Sequence, residues 1–158
     1  MIQLYDDVLD SDLLEYLNRN IKKELSYKPH GSVNKETFLW SDNIIDISFY
    51  QYLFDKFLHK INFFKNNQAH CIRAYVNLYP YAVGGDWHKD GSDNSKYTLM
   101  YYPQRWQKKF KGDTLFKNNI NKVEYKENRL VFFKGDIEHK ADKHYNEEFR
   151  FTLVYKIL

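Results

Sequence analysis

Cysteine, glycine and proline are scarce in this chain: of 158 residues, one is cysteine, six are glycine and three are proline. The lone Cys71 excludes an internal disulfide, so a reducing compartment is the simple expectation. No apolar run reaches the ~20 residues that a membrane span requires. The opening residues reach Asp6 and Asp7 before an apolar stretch can build, so neither a signal peptide nor a transit peptide is expected. Charge of one sign is also lacking. The net charge is +3, which permits nucleic-acid contact without pointing to it. No internal repeat, low-complexity tract or linker-like stretch divides the chain. These absences describe a soluble, cytoplasmic protein that forms a single domain over residues 1–158.

Hydrophobic residues make up 43% of the chain, enough for a core, and aromatics 18%, with 14 Tyr and 12 Phe against 3 Trp. Such a composition favours strands. Residues 11–24 read as a helix with Ser11 as N-cap, because Leu13, Leu14, Leu17 and Ile21 recur at helical spacing. Residues 26–43, with Pro29, Gly31, Ser32 and Asn34, read as an irregular loop. A second helix is expected over 46–64, with Ile47, Tyr50, Phe54, Phe57, Leu58 and Ile61 along one stripe. Short strand-like runs then follow at 70–79, 95–102, 113–116, 121–126, 129–133 and 149–157. Turn residues separate them, among them Pro80, Gly84-Gly85, Gly112-Asp113, Asn118-Asn119 and Gly135-Asp136. Two helices followed by many short strands predict a mostly β fold, a sandwich or jelly roll. In it a helical support region (1–65) packs against a β core (70–158).

The chemistry concentrates at Trp87-His88-Lys89-Asp90. On a strand, residues i and i+2 share a face, so His88 and Asp90 would project together as two legs of a metal site. The third leg is expected from His139, just past the turn that follows an apolar strand, with His144 as its rival in a stretch that reads as an exposed loop. Two histidines and a carboxylate on one face of an octahedron leave three positions open, the arrangement of non-haem Fe(II) oxygenases. Downstream, Arg150, Thr152, Val154 and Lys156 alternate with an apolar set on a single strand. An arginine on so apolar a strand is costly to bury without an anion. The far carboxylate of a dicarboxylate, met bidentately, would supply one, with the Thr152 hydroxyl adding a hydrogen bond.

In order, Tyr79, His88-x-Asp90, Thr98-Leu99-Met100-Tyr101-Tyr102, Trp106, Gly112-Asp113-Thr114-Leu115-Phe116, Asn128-Arg129-Leu130-Val131-Phe132-Phe133, His139 and Arg150-Phe151-Thr152-Leu153 resemble the 2-oxoglutarate/Fe(II)-dependent oxygenases. The likeness is to the prolyl 4-hydroxylase-like group, and most of all to small oxygenases encoded by bacteriophages and marine bacteria, which implies a cytoplasmic protein, in the host cytoplasm if the gene is viral. The resemblance implies a double-stranded β-helix, a distorted jelly roll. It implies Fe(II) on His88, Asp90 and His139, and 2-oxoglutarate held by Arg150 and Tyr102 with Tyr79 nearby. O2 would be consumed, with ascorbate as an accessory reductant. The implied activity is hydroxylation of a protein or peptide residue such as proline, with release of succinate and CO2. Competing readings are an AlkB-like demethylase of nucleic acid and a non-catalytic jelly-roll binding module. The demethylases carry a second arginine where this chain has Lys156, and the hydroxylases often have a second glycine where it has Lys111.

Because ligating histidines must be neutral, metal binding is expected to weaken below about pH 6. Residues 26–43 and 103–112 are the two candidate substrate walls, and Trp40 reads either as core or as pocket wall. The 103–112 stretch, with Arg105, Lys108, Lys109, Lys111 and Phe110, reads as a solvated basic loop with Trp106 packed on the body. The expected partner is a protein, peptide or small-molecule substrate, with no membrane and a monomeric or dimeric state.

Overall fold

The four longest strands each carry apolar side chains at both parities, so the sheet they form must be covered on both faces. In a computed structural model, which describes residues 1–30, 37–93, 96–117 and 122–158, that sheet and its two covers are present. The strands are β1 (Ile2–Tyr5), β2 (Tyr27–His30), β3 (Phe38–Ser41), β4 (Cys71–Tyr79), β5 (Tyr97–Tyr102), β6 (Thr114–Phe116), β7 (Lys122–Val123), β8 (Arg129–Lys134), β9 (His139–Ala141) and β10 (Arg150–Ile157). The helices are α1 (Ser11–Lys23) and α2 (Ser48–Lys60), followed by a 3-10 turn at Asn62–Lys65. Among the described residues, seven strands form one antiparallel sheet in the order β1-β8-β5-β10-β4-β3-β2, and three form a smaller one in the order β7-β6-β9.

The outer face of the large sheet, with Val76, Leu99, Phe132, Leu153 and Tyr155, packs on Leu17 and Ile21 of α1 and on Leu53, Phe54 and Phe57 of α2. The inner face, with Tyr75, Met100, Val131, Phe133 and Val154, meets Phe116 and Val123 of the small sheet. Each fully buried large side chain of this kind contributes about 1.5–3 kcal/mol. The result is two facing antiparallel sheets with helices backing one of them.

Several local readings change. The N-cap of α1 is Asp10, whose carboxylate accepts from the Leu13 amide at 2.9 Å. Ser11 is instead the first helical residue. The 26–43 stretch is not wholly irregular, because β2 and β3 lie in it and extend the large sheet through Leu39↔Leu78 and Trp40↔Asn77. Turn chemistry there masked two four-residue strands, one containing Pro29 where an outer strand tolerates it. β1 likewise pairs with β8 and brings the N-terminal region into the sheet. Gly31, Ser32 and Asn34 of the expected loop, the expected turn at Asn118 and Asn119, and residues 95 and 121 of two expected strands lie outside the described residues. No helix among the described residues is long and apolar enough to cross a membrane.

Two neighbouring residues set the turn into β6. Gly112 has φ +85°, and a Cβ there would stand 2.8 Å from the His144 Cβ and 3.2 Å from the Arg150 Cδ. Lys111 takes φ 55° and ψ −144°, a conformation that suits glycine. Lys111→Gly is therefore expected to raise stability by about 1 kcal/mol, a gain of roughly 2–4 °C in Tm. Gly112→Ala should lower it by roughly 1–3 kcal/mol. Thermal denaturation of both variants checks the pair. A stabilised Gly112→Ala would contradict the strained turn.

Candidate active site

His88 and His139 come together through the backbone. They form an isolated antiparallel bridge in which the His88 amide donates to the His139 carbonyl at 3.0 Å and the His139 amide donates back at 2.9 Å. This corrects the expectation that His88 and Asp90 share a strand. His88 sits at a single bridge, and Asp90 opens a 3-10 turn, Asp90–Asp93. Gly84 permits the approach of this segment to β9, since a Cβ there would lie 2.9 Å from the Ala141 carbonyl oxygen.

The three side chains converge nonetheless, each offering one ligand atom within 4.8 Å of the other two. His88 Nε2 lies 3.5 Å from Asp90 Oδ1, and His139 Nε2 lies 3.6 Å from Asp90 Oδ2. Adjacent ligands of a metal with ~2.1 Å bonds stand roughly 3 Å apart, so small shifts complete a facial set. The tautomers are also set for ligation. His88 Nδ1 donates to the Asp86 carbonyl at 2.8 Å, and His139 Nδ1 donates to the Ile137 carbonyl at 3.0 Å. In the neutral rings both Nε2 lone pairs then face a carboxylate. Such a cluster of acceptors is repulsive until a proton or a cation sits at its centre. Asp90 and His139 are buried, whereas His88 is open to solvent on one side.

Titration follows this arrangement. Burial works against ionisation of Asp90, but the His88 hydrogen bond and the charges of His139, Lys156 and His88 outweigh it and hold the carboxyl well below its ordinary range. Burial also disfavours the charged form of His88, yet its contacts with Asp90 and the Asp86 carbonyl outweigh that and raise its pKa. For His139, burial dominates and lowers the pKa despite Asp90. Thr98 donates to Asp90 Oδ2 at 2.7 Å and Lys156 Nζ lies 3.6 Å from Oδ1.

Beside the cluster, Arg150 is 1% exposed. Its guanidinium carbon lies 4.8 Å from the ring centroid of Tyr125, 5.1 Å from that of Tyr79 and 5.8 Å from that of Tyr102. Nη2 reaches Thr114 Oγ1 at 3.4 Å, but Nε and Nη1, together with Thr152 Oγ1 and Asn77 Oδ1, find no hydrogen-bond partner among the described residues. Three partnerless donors in one buried patch fit an anion. Arg150, Thr152, Asn77 and Tyr79 line a narrow cavity of about 20 Å³ that His88, Asp90 and His139 also line. It shares Tyr75, Asn77, Tyr79, His88 and Asp90 with a wider cleft of about 380 Å³.

Of the residues singled out by sequence, His88, Asp90, His139, Tyr79, Arg150 and Thr152 line this one site. Tyr102 stands behind Thr114, to which its hydroxyl donates at 2.7 Å. His144 is not in an exposed loop. It is fully buried, its Nε2 donates to the Tyr79 carbonyl at 2.8 Å and its Nδ1 accepts from the Asn146 amide at 3.3 Å, which leaves no lone pair for a metal. Trp106 packs on Tyr125 and His144, as read from sequence, whereas Trp40 lines the cleft. Sequence reasoning missed Tyr125 beneath Arg150 and Asn77 in the cavity wall. Asn77 was legible as the partner of Thr152 once the β4/β10 register was known.

No protein-family profile matches the chain, and no curated protein does. Solved structures match closely in shape. A prolyl hydroxylase of Trichoplax adhaerens, in complex with a hypoxia inducible factor peptide fragment, aligns at TM-score 0.74 and 17% identity, covering 99% of this chain and 83% of that one. A viral collagen prolyl hydroxylase of Paramecium Bursaria Chlorella virus-1, in a 2-oxoglutarate complex, aligns at 0.68 and 18%, covering 99% and 94%. HygX of Streptomyces hygroscopicus, with nickel, 2-oxoglutarate and hygromycin B bound, aligns at 0.78 and 11%, covering 99% and 82%. The fold is thus the double-stranded β-helix of 2-oxoglutarate/Fe(II) oxygenases.

Proposed function

We propose that this chain, acting as a single domain, is an Fe(II)- and 2-oxoglutarate-dependent dioxygenase that hydroxylates a peptide residue such as proline or a small molecule. One observation carries the reading: the converging His88-Asp90-His139 cluster and the partnerless donors of buried Arg150 line the same cavity. His88, Asp90 and His139 hold the metal. Arg150 receives the far carboxylate of 2-oxoglutarate, Thr152 adds a hydrogen bond, Tyr79 walls the cavity, and Tyr102 orients Thr114 against the guanidinium. When bound, the iron and its co-substrate supply the coupled chemistry: one oxygen atom of O2 enters the substrate C–H bond and the other enters succinate, with loss of CO2. The protein neutralises the dicarboxylate, keeps both Nε2 lone pairs available, and surrounds the reacting atoms with apolar walls such as Met100 and Val154. The prolyl hydroxylase likenesses support a peptide substrate, and HygX with hygromycin B bound supports a small molecule.

A succinate-release screen over proline-rich peptides, methylated oligonucleotides and small acids tests the proposal. Succinate formation that requires Fe(II), 2-oxoglutarate and O2 is the expected result. No succinate with any of them, even by slow uncoupled turnover, would sink it.

Metal affinity should also depend on acidity. A metal ion must displace the proton of His88, whose pKa is raised from 6.5. Affinity is expected to be flat above that raised pKa and to fall about tenfold per pH unit below it, so that weakening begins nearer neutrality than pH 6. Titration of Ni(II) at several pH values checks this. An affinity that stays level to pH 5 would contradict it.

A further inference from the structure

The pairing of β4 with β10 sets four rungs across the floor of the site: Arg150↔Tyr79, Thr152↔Asn77, Val154↔Tyr75 and Lys156↔Arg73. The first rung carries the cation assigned above to 2-oxoglutarate. The last carries two more cations, Lys156 and Arg73, directly opposite each other and both lining the wide cleft. Like charges in directly opposed cross-strand positions are destabilising, and an anion seated between them relieves that repulsion. Lys156 is 7% exposed, and one of its contacts is an ion pair with Asp90, a carboxylate that a bound metal also claims. Arg73 is held by stacking: its guanidinium carbon lies 4.5 Å from the Trp40 ring centroid and 4.7 Å from that of Tyr75. Among the described residues no carboxylate forms an ion pair with it. Around the pair the wall is aromatic, with His30 stacked on Phe38 at 4.5 Å and set edge-on to Trp40 at 4.3 Å. The cleft holds about 380 Å³, the size of a small-molecule site.

We infer that the substrate oxidised here is a small molecule bearing an anionic group, a carboxylate or a phosphate, which seats between Arg73 and Lys156 while its ring or apolar body lies on Trp40. The inference rests on the oxygenase reading for what happens to that molecule, but the anion seat itself stands on the register and the charges. It also gives β2 and β3 a role, because they bring His30, Phe38 and Trp40 to the mouth of the site.

Calorimetric titration with benzoate and phenyl phosphate, against neutral benzyl alcohol, tests the seat. The protein is loaded with Ni(II) and saturating 2-oxoglutarate so that the metal and Arg150 are engaged. At least one of the two anions is expected to bind ~10-fold or more tightly than benzyl alcohol, and which one it is separates carboxylate from phosphate. Arg73→Gln and Lys156→Met should each remove most of that preference, and Arg73→Lys should keep much of it. Arg73 is half-exposed, so its variants test the seat without disturbing the buried metal cluster. Anions that bind no better than benzyl alcohol, or a preference that survives both Arg73→Gln and Lys156→Met, would overturn the inference. So would tight binding confined to single-stranded oligonucleotides or polyglutamate peptides. The same titrations without metal or 2-oxoglutarate separate the two claims. If Ni(II) and 2-oxoglutarate fail to bind while the Arg73-dependent preference persists, the oxygenase reading falls and the anion seat stands. If both bind and no preference exists, the seat alone falls.

Discussion

Replacing His139 with alanine is expected to abolish tight binding of Fe(II) or Ni(II), whereas His144→Ala should leave it intact. The two histidines are five positions apart and both buried, so burial does not tell them apart. Their hydrogen bonds do. His139 directs Nδ1 to a carbonyl and Nε2 toward Asp90. His144 spends Nε2 on the Tyr79 carbonyl and Nδ1 on the Asn146 amide. Loss of an outer partner of a metal ligand typically costs 10–100-fold in affinity, so loss of the ligand itself should exceed roughly 100-fold. His144→Ala should instead lower stability by roughly 1–3 kcal/mol, because it empties a buried site and strands the Tyr79 carbonyl. Metal titration and thermal denaturation of both variants separate these effects. Metal loss in His144→Ala with retention in His139→Ala would move the third ligand.

The second large effect is at Arg150, where two measurements should move in opposite directions. Without co-substrate, Arg150→Leu removes a buried cation with two partnerless donors, so the protein should be as stable or more so. With 2-oxoglutarate the same change removes a charge-assisted, bidentate contact worth about 2–5 kcal/mol, which raises the concentration needed for half-saturation roughly 30- to 4000-fold. Metal affinity should be unchanged, since Arg150 is not among the converging ligands. The Tm gain that 2-oxoglutarate gives the unaltered protein should vanish in the variant. A variant that keeps this gain would place the carboxylate anchor elsewhere.

Much of the site was legible because each of its parts has a local signature. Arg150, Thr152 and Lys156 share a face by strand alternation alone, and they do line the site. His88 and Asp90 were found for a reason that does not hold, since a bridge and a 3-10 turn, not a strand, bring them together. The spacing that suggested a shared face also suits this tighter geometry. The choice between His139 and His144 was not decidable locally, because it depends on the carbonyl of Tyr79, 65 residues from His144. The helices and the long strands followed from periodicity, with ends displaced by a residue or more at the Asp10 cap and after Lys60. The short strands β1, β2, β3 and β9 did not follow, because four residues or fewer carry too little pattern. The cationic rung at Arg73 and Lys156 could not be seen for a different reason. It exists only in the register of two strands far apart in the chain.

The central claim is that one cavity binds Fe(II) and 2-oxoglutarate together, and anaerobic absorption spectroscopy tests it most directly. Adding Fe(II) and then 2-oxoglutarate to the protein without oxygen should produce a weak visible charge-transfer band of the chelated complex. The band should be absent in His139→Ala and should require far more 2-oxoglutarate in Arg150→Leu. If no band forms with the unaltered protein at saturating iron and 2-oxoglutarate, the claim is contradicted.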